Sequence, residues 1–301
     1  MTTPTPSAGP PLRDDGGHHN DLRTTYRYLR LAIIMVTSLL ATSVVIQIGS
    51  DDWQVLPSVS AYYYTPARAT FVASLCAIGV CMIVHKGRSA TEDTLLNFAG
   101  YMAFFVAFVP TANKVDIADA EAEAVIPPDL QAAIINNSWA VLIIGMASLT
   151  IWFILAVRQP GFRFSRSGGR AAIATVVAFV GWLTYFLFFQ EAFVNTGHVV
   201  AAIALFAGIV GVVGINGVAL ARARAEEGGD KRAQVLNRYT IGFIVMVLST
   251  AFVLVVLRPR VAEYTFWLEA LLIGQFLAFW LTQTIERWRV PEPRQDSLIP
   301  G

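Results

Sequence analysis

The sequence predicts an all-α fold: a polytopic integral membrane helix bundle with eight transmembrane helices. Three observations lead there. Of 301 residues, 55% are hydrophobic and only 14% are charged, whereas soluble domains carry roughly one quarter charged residues. The apolar residues gather in runs of about 20, the length that crosses a ~30 Å hydrocarbon layer. Finally, dividing the connecting segments between two sides places eighteen Lys and Arg on one side and four on the other, the asymmetry that marks a cytoplasmic face.

Residues 1–28 precede the first run and are rich in Thr, Pro, Gly and Asp. They contain no apolar stretch able to form a signal peptide and are expected to be a disordered cytoplasmic tail. His18 and His19 are adjacent there, but two ligands on a floppy segment do not make a metal site. The eight runs follow at about 29–49, 68–86, 94–112, 138–157, 171–190, 197–220, 239–257 and 264–285. The membrane domain therefore covers 29–286, and 287–301 form a short cytoplasmic tail. An even number of spans puts both termini on the basic side, in a cell membrane. With eleven acids inside and ten outside, the inner face carries about +7 and the outer about −6, which together give the net +1 of the chain.

Between the first two runs lies Ser58-Val59-Ser60-Ala61-Tyr62-Tyr63-Tyr64-Thr65, after Asp51, Asp52 and Trp53 and before Arg68. Aromatic rings with polar tips suit a membrane-water boundary, so this stretch is placed at the outer mouth of the bundle. In the second run, Cys76 and Cys81 are five residues apart and form no redox or metal spacing; they are read as packing residues. The outer segment 113–137 holds Lys114, Asp116, Asp119, Glu121, Glu123 and Asp129. Asp116, Asp119 and Glu123 fall on one face if the segment is helical, but the pattern lacks the glycine and alternating oxygen ligands of a calcium loop.

The sixth run is the richest in small residues. Small side chains let helix backbones approach in lipid, where apolar burial does not drive association. Glycine at every third position drifts around a 3.6-residue helix. Ala204, Gly208 and Gly211 are thus expected to make one close contact, and Gly214, Gly217 and Ala221 another. The eighth run carries Glu269, about five residues inside its outer end, followed by Gln275 and Gln283. A carboxylate in a span costs about 2.5 to 3.5 kcal/mol on the insertion scale, so Glu269 is expected to face the bundle. Its expected roles are a ligand contact, or a lock formed with an arginine or His198.

Together these groups define a candidate ligand-binding set: Ser58, Ser60, Tyr62, Tyr63, Asp116, His198, Arg258 and Glu269, lining an outward-facing polar cavity. The run Ser58-Val-Ser-Ala-Tyr-Tyr-Tyr-Thr, with Arg68, Ala77-Ile-Gly, Lys86-Gly, Asn97-Phe-Ala-Gly, Val109-Pro-Thr and Gln283-Thr-Ile-Glu286, resembles a family of uncharacterised bacterial multi-pass membrane proteins. His198-Val-Val-Ala-Ala before a small-residue helix is similar, more remotely, to DRAM/Frag-type membrane families. These resemblances imply the architecture and bring no catalytic residue with them.

Three function classes follow. The first is noncatalytic binding or transport of a small amphiphile, lipid or cation. The second is a membrane scaffold that assembles with other helices, for which the glycine faces suffice. The third is an intramembrane hydrolase similar to ceramidase-type enzymes, whose zinc needs at least three protein ligands. Outside the tail only His85 and His198 are available, near opposite boundaries, so no metal or other cofactor is expected. Membrane lipids and helix-helix partners are the expected associates. Basic loops without a soluble domain give no support for nucleic acid, and no Walker A, GxSxG or HExxH pattern occurs.

Overall fold

The computed structural model describes residues 15–114, 124–159, 165–228, 232 and 235–288. Eight α-helices lie wholly within the described residues: α1 (Asp15–Ser50), α2 (Arg68–Val84), α3 (Ala90–Phe108), α4 (Pro128–Val157), α5 (Arg166–Phe188), α6 (Gln190–Glu227), α7 (Arg238–Phe252) and α8 (Tyr264–Trp288). A 3-10 turn covers Ser60–Tyr64, and a π-helical turn, Val253–Leu257, extends α7. The only strands among the described residues are two of two residues each, pairing Asn113 with Val125 and Lys114 with Ala124. Six helices, α1 and α4 to α8, are long and apolar enough to cross a membrane. The α2 helix is shorter, with 17 residues, or roughly 25 Å at ~1.5 Å per residue. The α3 helix is largely buried, with Leu96, Ala99, Met102 and Phe105 in the core, whereas α2 buries one face and exposes Val80 and Val84 on the other.

Several boundaries differ from expectation, each for a local reason. The first helix begins at Asp15, well inside the expected tail. It gains contacts there, because Tyr26 meets the His85 ring edge-on and the Arg27 guanidinium lies 5.6 Å from the Trp288 ring centroid. The third helix starts at Ala90 rather than 94 because Ser89 caps it, accepting a hydrogen bond from the Glu92 N–H, the first half of a capping box. It stops at Phe108 because Pro110 lacks an N–H and disfavours helix at Val109. The fourth begins with Pro128 at its first position, where a fixed φ and a missing donor cost nothing. At the end of α7, Arg258 N donates to Val253 O at 2.9 Å, an i to i−5 bond next to Pro259; the wider turn accommodates the donor that proline lacks. The acidic stretch 115–123, including Asp116, lies outside the described residues.

The helices alternate in direction, and contacts at the two ends establish it. One end, here called the basic end, joins the start of α1 to the end of α8 through Arg27 and Trp288, and to the end of α2 through Arg30 and His85, 3.5 Å apart. At the same end Arg238, opening α7, pairs with Glu286 near the end of α8. The other, capped end joins the 58–64 segment to the start of α8, and the end of α3 to the start of α6. Both described chain ends therefore sit at the basic end. The chain is a multi-pass helical membrane protein.

Backbone approach sets the packing. A Cβ on Gly79 would lie 2.7 Å from Gly100 O, and one on Gly100 would lie 2.6 Å from Gly79 O. Only paired glycines permit α2 and α3 to come this close. The two faces expected on the sixth helix are both used: Gly208 and Gly211 abut Ala99 and Leu95 of α3, while Gly214 and Gly217 abut Phe243 and Thr240 of α7. An aromatic cluster of Phe105, Trp182, Phe186 and Phe193 seats α5 against α3 and the first turns of α6.

Candidate functional site

The α1 helix ends at Ser50, and the chain reverses through Asp52 and Trp53, whose φ of 51° and 63° are left-handed; Trp53 N bonds back to Ile48 O at 2.9 Å. The chain then crosses the capped end, where two contacts attach it to α8. Phe266 N donates to Pro57 O at 3.0 Å. Three residues on, Glu269 accepts from Ser60 N at 2.8 Å and from Ser60 Oγ at 2.9 Å. Ser58 Oγ lies 3.2 Å from Ser60 Oγ and accepts from Ala61 N at 3.0 Å. The hydroxyl-rich run thus forms a tight turn whose N–H groups point at a carboxylate. Charge-assisted bonds of this type are about twice as strong as neutral ones.

Beneath this turn is a cavity of about 70 Å³, partly open to the surroundings. Its roof is Val59 and Ser60; its walls come from α1 (Thr37, Leu40), α2 (Phe71, Leu75, Ile78) and α3 (Val106). The sixth helix contributes His198, Leu205 and Ile209 among others, and α8 contributes Glu269, Ile273 and Phe276. The polar groups cluster at the roof and the rest of the wall is hydrocarbon apart from Thr37, whose hydroxyl is tied to Ile33 O at 2.7 Å. The expected outward-facing polar cavity is accordingly corrected to an apolar slot with a polar rim. The α2, α6 and α8 helices turn Leu, Ile and Phe side chains inward, α1 adds Leu40 and α3 adds Val106; a polar wall would have required polar residues at those positions.

His198 is held by what ends α3. Its Nδ1 donates to Val109 O at 2.6 Å, and the Val106 carbonyl is a second neighbour of the ring. Pro110 cannot donate to Val106 O, its i−4 partner, so the histidine sits at carbonyls that the proline leaves over. The ring is 4% exposed and forms part of the slot wall.

Of the eight candidate residues, Ser60, His198 and Glu269 line the slot, and Ser58 supports Ser60 from behind. Tyr62 and Tyr63 are buried in the core instead. The Tyr62 hydroxyl accepts from Leu56 N at 3.3 Å and its ring packs on Phe266; burial pushes its pKa up. Tyr63 takes a bond from Arg68 at 2.8 Å and packs on Phe71. Tyr64 donates to Thr111 O at 2.7 Å, and burial pushes its phenol up to about 12. The tyrosines thus fasten the turn to α2, α3 and α8. Arg258 is exposed beside Tyr264, outside the slot. Among the described residues neither an arginine nor His198 bonds to Glu269; its partner is the turn.

A second polar cluster, not singled out in the sequence, lies toward the basic end. Glu92 is 4% exposed; its carboxylate accepts from Arg88 N and from Asn216 Nδ2, both at 2.8 Å. Asn237 caps α7 and donates to Gly217 O at 2.8 Å. His85 lies at this end, edge-on to Trp280 with ring centroids 4.9 Å apart, a membrane's depth from His198. No group of three or more potential metal ligands occurs among the described residues. No protein family, curated protein or solved structure matches the chain.

Proposed function

We propose that this protein binds or moves a small amphiphile through the slot beneath the 58–64 turn, without catalysis. The observation that carries this reading is the shape of the polarity: Ser60, His198 and Glu269 at the rim, and hydrocarbon from Leu40, Leu75, Ile78 and Phe276 below. A bare cation would gain nothing from such walls, whereas a hydrocarbon tail gains about 0.8 kcal/mol for each buried CH₂. In this reading the capped end faces outward and the basic end faces the cytoplasm, as the distribution of Lys and Arg favours.

The test is native mass spectrometry of the purified protein with its co-isolated lipids, for the wild type, His198→Ala and Ile78→Trp. The reading expects one bound species of defined mass in the wild type, and its loss when tryptophan fills the slot. A wild-type protein that retains no species, in any detergent, contradicts it and leaves the scaffold reading, for which the glycine faces of α2, α3 and α6 suffice.

A further inference from the structure

Most slot residues are buried: Thr37, Leu40, Phe71, Leu75, Ile78 and Val106, from α1 to α3, are all under 9% exposed. The half-exposed lining residues are four, Ala202 and Phe206 on α6 and Glu269 and Ile273 on α8. Each pair is spaced i, i+4 and so forms one stripe on its helix. The slot therefore opens sideways, between α6 and α8, and not through its roof, where Val59 and Ser60 are buried and clamped. Toward the basic end α7 closes the gap, since it packs on Gly214 and Gly217 of α6 and bonds to α8 through Ser249 and Gln275, 2.7 Å apart. Toward the capped end it leaves α6 uncovered, and Ile203 is 65% exposed.

The opening faces the hydrocarbon of the bilayer half nearest the turn. It is one side-chain stripe wide on each helix. The slot reaches from the level of Glu269 to that of Phe276 on α8 and from His198 to Ile209 on α6, roughly 10 to 16 Å at ~1.5 Å per residue. That length matches one short chain lying along the helices. At the rim, Glu269 is the one charged lining residue among the described residues, and no described Lys or Arg lines the slot. A carboxylate has about four acceptor sites; the Ser60 N–H and the Ser60 hydroxyl take two. What remains can accept a hydrogen bond, and no cation among the described lining residues offsets the burial of an anion.

Resting on the reading above, we infer that the ligand is a single-chain amphiphile with a hydrogen-bond-donating, uncharged or cationic head, and that it enters sideways from the bilayer between α6 and α8. The head comes to rest at Glu269 and the tail lies against Leu75, Ile78 and Phe276.

The experiment uses the full chain in phosphatidylcholine vesicles and two probes of equal chain length with a diazirine near the tail end: a monoacylglycerol and the corresponding fatty acid at pH 8. After irradiation, adducts are mapped by peptide mass spectrometry. The monoacylglycerol is expected to label Leu75, Ile78 or Phe276, with the fatty acid at least about tenfold weaker. A plug at the opening, Ala202→Trp with Ile273→Trp, is expected to slow labelling about tenfold. Should that variant not fold, Ala202→Cys in a Cys76→Ala, Cys81→Ala background is folded first and then blocked with a bulky maleimide. Unchanged labelling after blocking overturns the sideways entry. Equal labelling by the fatty acid overturns the assignment of the head. Absence of slot adducts from either probe in the wild type overturns the underlying reading of the slot as a binding site.

Discussion

Removing the carboxylate of Glu269 should release the 58–64 turn, and the size of the effect follows from its bonds. Glu269→Ala deletes the acceptor for Ser60 N at 2.8 Å and Ser60 Oγ at 2.9 Å. Hydrogen bonds to a charged group contribute about 1.5 to 3 kcal/mol each, and a buried N–H left without a partner costs about 1 to 3 kcal/mol. Taking two bonds at the low end gives about 3 kcal/mol of local stability. Relief of the carboxylate's own burial offsets part of this, so about 3 kcal/mol is an upper figure. Glu269→Gln keeps one carbonyl acceptor and should lose about half as much. Amide hydrogen exchange reads this directly, because about 1.4 kcal/mol corresponds to tenfold in the opening equilibrium. Peptides covering Val59 to Ala61 should exchange up to about 100-fold faster in Glu269→Ala and about tenfold faster in Glu269→Gln, with peptides of α5 unchanged. Equal protection of this segment in wild type and Glu269→Ala would refute the clamp.

Other expectations follow from the same contacts. Gly100→Ala puts a Cβ 2.6 Å from Gly79 O and should destabilise the α2–α3 pair by about 1 to 3 kcal/mol in thermal unfolding. Gly181→Ala, with nothing within 4 Å, should melt within about 0.5 kcal/mol of the wild type; equal losses in the two would contradict the backbone contact. Asn216→Leu withdraws a donor from buried Glu92 and should cost about 1 to 3 kcal/mol. Combining it with Glu92→Gln should cost less than the sum of the two single changes; simple additivity would deny their coupling. The Tyr64 phenol, pushed up to about 12 in the fold, binds its proton more tightly folded than unfolded, where its pKa is about 10. Its contribution is thus fully present below about pH 10 and lost as pH rises toward about 12. Tyr64→Phe should flatten that part of the alkaline stability profile, and an identical slope in both proteins would exclude Tyr64 as its source.

Much of the architecture was legible in the sequence because lipid imposes one-dimensional rules. Apolar run length located all eight helices, and the drift of glycine around α6 separated its contacts with α3 from those with α7. Glu269 was visible as a costly charge, and the hydroxyl-rich run as an unusual boundary segment; that they bond to each other across a separation of 209 positions had no local signal. Tyr62 and Tyr63 were misplaced because the same amphipathic ring suits a rim or a buried anchor with one bonded tip. Glu92 did have a signal, the Ser89-x-x-Glu92 capping pattern at the head of a span, but its partner Asn216 is 124 residues away. The apolar slot was beyond the sequence altogether. Leu40, Leu75 and Phe276 read as ordinary core, and only their arrangement in space leaves a gap among them.

The most direct measurement is an experimental map of the protein in lipid nanodiscs, prepared without added ligand. The reading of the slot predicts unbranched elongated density between α1, α2, α6 and α8, with one end at Glu269 and the other near Phe276. A slot closed by contact between Leu75, Leu205 and Phe276, with no density between them, would contradict it.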